Sequence, residues 1–392
     1  MKMKEIYLDN AATTKPFQEV VEAVSQTMLQ TFGNPSSLHK KGIEAENLIK
    51  ESSVFFAKTL GVTADEMIYT SGGTESNNLA ILGCAYAYHR IGKKIITTTI
   101  EHASVDEVFT YLEGQGYEVV RIEVDQQGYI NKEQLRDAID AETILVSIMH
   151  VNNEIGTIQP IQEIGELIKR KNPDTFFHVD AVQAFGKLPI QVRKAKIDYL
   201  SISAHKFYGP KGIGILYKNK QARLINLLHG GGQQKNMRSG TENVPGVVGM
   251  HKAATILCDK MSEQSAQLMA LKCYLYEQVT QKIEGVSLNG PILEEGAPHI
   301  INLYFKDVRA EVLLHTLERF NIYVSSGSAC SSNKVTTNGT LQALQKEGLN
   351  QDGAIRFSFN LDNTKEEIDE VVKVLQAQLP ILRKFVAGGK RR

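Results

Sequence analysis

Short, β-rich apolar runs alternate with longer helical patterns over the first 217 residues, and this alternation restricts the fold more than any other feature. Candidate strands cover 67–70, 94–98, 118–123, 144–150, 175–180, 199–203 and 213–217, and helical periodicity covers 74–88, 132–138 and 161–171. Strand and helix in turn predict an α/β architecture, a mostly parallel seven-stranded sheet covered on both faces. Ligand-binding residues then emerge at strand ends. After Thr241-Glu-Asn-Val-Pro-Gly246 the pattern changes to a long helix through about 283, followed by strands near 299–305 and 354–359. A chain of 392 residues can bury more than one core. We expect a large domain over 15–259 and a smaller α/β domain made of 1–14 and 260–385. A flexible, solvated tail over 386–392 would follow.

Charge and cysteine usage remove several function classes. Lys plus Arg number 44 and Asp plus Glu 44, so no global field favours nucleic acid or an anionic membrane surface. Cys84, Cys258, Cys273 and Cys330 form neither a CxxC pair nor a ligand cluster. No metal site is therefore expected, and a reducing compartment suits the chain better than a disulfide scaffold. Met1-Lys-Met-Lys-Glu-Ile lacks the apolar centre of a signal peptide, and no stretch is apolar enough to span a bilayer. The expectation is a cytoplasmic protein.

Three segments at candidate strand ends carry chemistry. Lys206 lies in Ser201-Ile-Ser-Ala-His-Lys206-Phe-Tyr-Gly-Pro-Lys-Gly212, downstream of His178-Val-Asp180-Ala-Val-Gln183. Thr70-Ser-Gly72-Gly73-Thr74-Glu-Ser-Asn-Asn78 places two glycines between a strand and a helix. There, backbone N–H groups can approach an anion with the help of the helix dipole. Each feature has a plain structural reading: a solvated loop lysine, a strand-end turn aspartate, a Thr-capped helix start. Together they meet the needs of pyridoxal phosphate: an amine for its aldehyde, a carboxylate for its ring nitrogen and donors for its phosphate. There is no GxxxxGK[ST] run and no GxGxxG opening a βαβ unit, which argues against a nucleotide-binding enzyme.

With these motifs in this order, the chain resembles the cysteine desulfurases from about Tyr7 to Asp369. These are pyridoxal-phosphate enzymes of fold type I that take sulfur from L-cysteine. The resemblance implies phosphate contacts from Gly73, Thr74, Ser203 and His205. It implies a further contact from Thr241 of the neighbouring subunit, which makes a homodimer part of the site. It also implies that Asp180 faces the pyridinium nitrogen, Gln183 the phenolic oxygen, and His102, in Ile100-Glu-His102-Ala-Ser104, the ring face. Lys206 would hold the cofactor and act as base. Arg356, in Ala354-Ile-Arg-Phe-Ser358, would grip the substrate carboxylate, with Asn153 and Asn34 as further polar contacts. Many relatives continue this strand into a glycine and a second basic residue. This chain reads Phe359-Asn-Leu-Asp-Asn-Thr364, so nothing beyond Arg356 is carried over.

Cys330, in Ser325-Ser-Gly-Ser-Ala-Cys330-Ser-Ser-Asn333, matches the family's persulfide-forming loop. Small polar neighbours suit an exposed thiol on a flexible loop. The other three cysteines read as packing residues on or near helical patterns. The resemblance implies conversion of L-cysteine to L-alanine, the sulfur remaining as a Cys330 persulfide for an acceptor protein. An aminotransferase or a selenocysteine lyase would share the lysine and the aspartate, although amino-group transfer needs no Cys330. The continuation Ser331-Ser-Asn-Lys-Val-Thr-Thr-Asn-Gly-Thr340 is closer to members dedicated to one acceptor. It points to a thiouridine-forming or rhodanese-like partner rather than a general iron–sulfur scaffold.

Overall fold

The computed structural model describes residues 4–326, 339–344 and 351–389. Its strands are β1 Ile6–Tyr7, β2 Met67–Thr70, β3 Lys94–Thr98, β4 Glu118–Ile122, β5 Thr143–Met149 and β6 Phe176–Asp180. They continue with β7 Tyr199–Ser203, β8 Gly214–Lys218, β9 Val286–Asn289, β10 Ile300–Phe305, β11 Ile322–Tyr323 and β12 Ala354–Ser358. Seven of them form the expected central sheet, in the order β2-β8-β7-β6-β5-β3-β4. Only β8 in it runs antiparallel to its neighbours. All seven residues of β5 are buried, as an apolar strand with helices on both faces requires.

The strand directions position the site. β2, β3, β5, β6 and β7 point the same way, so the segments leaving their C-terminal ends gather along one edge of the sheet. Those segments start at Ser71, Thr99, His150, Ala181 and Ala204. They carry Gly73, His102, Asn153, Gln183 and Lys206 respectively.

A second, three-stranded antiparallel sheet has the order β12-β10-β9, and β1 pairs with β11 in parallel. Ile6 and Leu8 share an apolar cluster with residues from Leu268 to Leu379. The N-terminal segment also bridges β12, where Ser358 N–H donates to the Leu8 carbonyl at 2.7 Å. This cluster sits beside those of the central sheet. β12 thereby brings Arg356 to the edge where the central strands end.

Two expectations need correction. The long helix expected through about 283 is two helices, Val244–Cys258 and Met261–Lys282. Leu257 packs in the central core and Leu268 in the second, and the break at Asp259–Lys260 lets the chain pass from one to the other. The last helix runs Lys365–Gly389 with Pro380 inside it, so 386–389 are helical rather than tail; Leu382, Arg383, Lys384 and Ala387 are good helix formers beyond the proline. Cys330 lies outside the described residues.

Candidate active site

The sheet edge encloses a cavity of about 250 Å³. Gly73, Thr74, His102, Asn153, Asp180, Gln183, Ser203, His205, Lys206 and Arg356 all line it. Asn34 does not: it is exposed, and its side chain accepts from Ser36 N–H at 2.9 Å in its own loop. Thr241 is likewise exposed and outside the cavity of its own chain.

Lys206 ends a 3₁₀ turn, Ala204–Lys206, directly after β7. Its Nζ donates to the carbonyls of Ala11 at 2.7 Å and Ala12 at 2.9 Å. Gln183 Nε2 donates to the same Ala11 carbonyl at 2.8 Å, and its Oε1 faces buried His299 Nε2 at 3.3 Å. Asp180 ends β6; its Oδ1 accepts from Val182 N–H at 2.9 Å and its Oδ2 from Asn77 Nδ2 at 2.7 Å.

Asn77 Nδ2 also lies 2.8 Å from Ser104 Oγ, which is 2.8 Å from His102 Nδ1. The Ser104 N–H donates to that Nδ1 at 3.1 Å. With a backbone N–H pointing at Nδ1, the neutral ring carries its proton on Nε2. Burial holds His102 below its ordinary value, against the pull of Asp180. Burial, with Lys206 and two further lysines, pushes His205 down to about 4. Both imidazoles are therefore neutral at neutral pH.

At the phosphate end of the cavity, Gly73 opens the helix Gly73–Tyr88. A Cβ there would come within 2.8 Å of Val182 Cγ2, so only glycine leaves the helix N-terminus bare. This cradle, together with Ser203 and Thr74, can take a phosphate. Asp180, anchored from two sides, can face a pyridinium, and Lys206 can reach an aldehyde. Pyridoxal phosphate fits the residues present.

Arg356 is 3% exposed. Its Nη2 pairs with Asp9 Oδ1 at 2.8 Å, and its Nη1 pairs with Glu154 Oε1 at 3.3 Å and the Asn153 carbonyl at 2.9 Å. The guanidinium is thus held rigidly at the cavity wall, suited to a carboxylate.

Several participants escape sequence reading. Asn77 carries a usable signal, since it lies four residues after Gly73 on one helix. Asp9 and Glu154 have none, because their pairing with Arg356 spans 347 and 202 positions.

Glu101 is half-buried, with its carboxylate in the interior near Asp180. Its Oε1 accepts from Thr98 Oγ1 at 2.7 Å and Met149 N–H at 3.0 Å, while its Oε2 finds no partner among the described residues. Burial pushes its pKa up from 4.5 to about 8, with Asp180 adding to the rise. A raised folded pKa gives stability that is fully present below the unfolded value and is lost as pH climbs through the folded one. The window is therefore pH 4.5 to about 8, and at about 1.4 kcal/mol per unit the loss amounts to a few kcal/mol. Glu101→Gln should gain on the parent by several degrees in Tm between pH 5 and 9, followed calorimetrically. A difference that stays constant with pH would mean that Glu101 is ionised throughout.

Such a sheet, delivering a lysine, an anchored aspartate and a glycine-led helix start to one cavity, defines a fold-type I pyridoxal-phosphate enzyme. The aminotransferase class-V family profile matches residues 6–371. The chain is 44% identical to "Cysteine desulfurase IscS" of Dictyoglomus turgidum, over 97% of this chain and 96% of that one. It is 46% identical to "NifS/IcsS protein homolog" of Lactobacillus delbrueckii subsp. bulgaricus, over 94% of this chain and 95% of the other. Among solved structures, a "NIFS-like protein" superposes with a TM-score of 0.91 at 38% identity, covering 97% of this chain and all of that one. The chain belongs to the aminotransferase class-V family, among its cysteine desulfurases.

Proposed function

We propose that this chain removes the sulfur of L-cysteine, releasing L-alanine, and holds that sulfur on Cys330 for delivery to an acceptor protein. The observation that carries this reading is the single cavity shared by Lys206, Asp180 and Arg356. When bound, pyridoxal phosphate supplies an electron sink for the pair left on carbon.

The protein's own groups do the rest. Arg356 binds the substrate carboxylate and, being fixed by Asp9 and Glu154, sets the orientation of the α-carbon. The Lys206 amine takes the α-proton. Neutral His102, with its proton on Nε2 and its ring steadied through Ser104 and Asn77, covers the ring face and can pass a proton. With the cofactor bound, the Asp180 carboxylate would keep the ring nitrogen protonated and Gln183 would donate to the ring oxygen. Gly73, Thr74, Ser203 and His205 hold the phosphate. The Cys330 thiolate then attacks the substrate sulfur: an S–S bond forms, the C–S bond breaks, and the carbon product is protonated to alanine.

Ser325 exchanges backbone hydrogen bonds with Arg356 at 2.8 and 3.1 Å. Arg356 lines the cavity, so Ser325 stands beside its wall. The exposed position of Thr241, outside its own cavity, supports a homodimer in which it serves the neighbouring phosphate. No described helix is long and apolar enough to cross a membrane.

The test is release of alanine and sulfide in equal amounts from L-cysteine by the purified, pyridoxal-phosphate-loaded protein, with a dithiol present to reduce the Cys330 persulfide to thiol and sulfide. Amino-group transfer without sulfide would exclude the reading. For the acceptor, the polar continuation after Cys330 supports a thiouridine-forming or rhodanese-like partner. Labelled sulfur should move from the Cys330 persulfide to such a protein several-fold faster than to an iron–sulfur scaffold in parallel reactions. The reverse order of rates would reject this preference.

A further inference from the structure

The turn after β6 places a second lysine, this one buried, against Lys206. Gly186 has φ of +75°, a conformation that favours glycine, and a Cβ there would stand 3.0 Å from Leu257 Cδ1. The chain turns at this point so that Lys187 enters the interior, where it is 8% exposed. Its Nζ donates to the Lys206 carbonyl at 2.8 Å. Its own carbonyl accepts from Ser265 Oγ at 2.6 Å, on the helix Met261–Lys282. Lys187 thus ties the peptide of Lys206 to an element of the second core.

Among the described residues no carboxylate pairs with this amine; burial, with the charge of Lys206 added, pushes Lys187 down to about 7. An ammonium buried on one carbonyl is costly, and an apolar side chain would fill the same space at less cost. A lysine kept at this position needs a reason beyond packing.

The other groups facing Lys206 are Asp180, His102, His205, His299 and Arg356. Burial keeps the three histidines neutral. Arg356 is compensated by Asp9 and Glu154, and among the described residues Asp180 is the one carboxylate lining the cavity. Among the described residues, Lys187 is therefore the cation near Lys206 that no carboxylate pairs with. We propose that Lys187 is a positioning residue for Lys206. It fixes the carbonyl end of the Lys206 peptide and sets a second positive charge against its amine, so that the amine releases its proton readily. The inference rests on Lys206 being the cofactor lysine.

The experiment is a pH titration of the visible absorption band of the holoenzyme for the parent, Lys187→Met, Lys187→Gln and Lys187→Arg. Loss of a neighbouring cation should raise the midpoint by about 1 unit in the two neutral variants. Lys187→Arg, which keeps the charge, should stay near the parent. An unmoved midpoint in the neutral variants, or an equal shift in Lys187→Arg, overturns the proposal. Should Lys187→Met fail to fold, Lys187→Gln gives the reading. Borohydride reduction and peptide mapping of the parent keep the two ideas apart. Cofactor found on Lys206 leaves the active-site reading intact whatever the midpoints do, and cofactor found on Lys187 removes that reading itself.

Discussion

Replacing Lys206 with alanine is expected to abolish turnover, by at least about 10³-fold, and to eliminate the covalent attachment of the cofactor. The cavity offers the reason for both effects. Lys206 leaves the end of β7 in a short turn that aims its amine at the carbonyls of Ala11 and Ala12. The phosphate cradle at Gly73 and the carboxylate of Asp180 stand on other strand ends. Those contacts survive the substitution, so pyridoxal phosphate should still bind, but without a bond to protein. The α-proton of the substrate also loses its base, because His102 and His205 keep their neutral rings in hydrogen bonds of their own. Mass spectrometry after borohydride reduction checks the first effect and steady-state alanine release the second. Cofactor reduced onto another lysine in the parent, with Lys187 the obvious candidate, would show that the assignment is wrong.

The parts of this site legible in the sequence are those that depend on local order. Strand ends that carry Gly73, Asp180 and Lys206 can be read directly, because a parallel sheet gathers its C-terminal ends on one edge whatever the details of packing. The apolar run of β5 gives away a strand buried on both sides in the same way. Pairings across the fold are less accessible. Nothing local to Arg356 indicates that Asp9 and Glu154 hold it, since those contacts exist only once β12, the N-terminal segment and the loop after β5 have met. The division of the helix at Asp259 has a similar cause: periodicity continues across the break, and only the separation of two cores explains it. Glu101 and Lys187 are harder still. In the sequence each is an ordinary charged residue near a turn, and the interior placement of its charged group is what makes its protonation informative.

Cys330→Ala should separate sulfur transfer from everything that precedes it. Binding of L-cysteine depends on Arg356 and on the cofactor contacts, and removal of the α-proton depends on Lys206; none of these needs the thiol. The variant should therefore keep the absorption of the bound cofactor and still show a spectral change when L-cysteine is added. Alanine release, by contrast, requires a nucleophile to accept the sulfur as the C–S bond breaks. Water and free thiols are poor substitutes for a thiolate delivered by the chain itself, whose intramolecular advantage spans several orders of magnitude. A fall of about 10³-fold or more in alanine release is expected, with no labelled persulfide retained on the protein. Cys84, Cys258 and Cys273 provide the control. Burial pushes all three thiols up, Cys258 to about 11, and none lines the cavity, so replacing any of them should leave the rate within about two-fold of the parent. Were Cys330→Ala to release alanine at the parent rate, the sulfur would have to leave by a route that does not pass through this cysteine, and the persulfide mechanism would fail while the roles of Lys206 and Arg356 still stood.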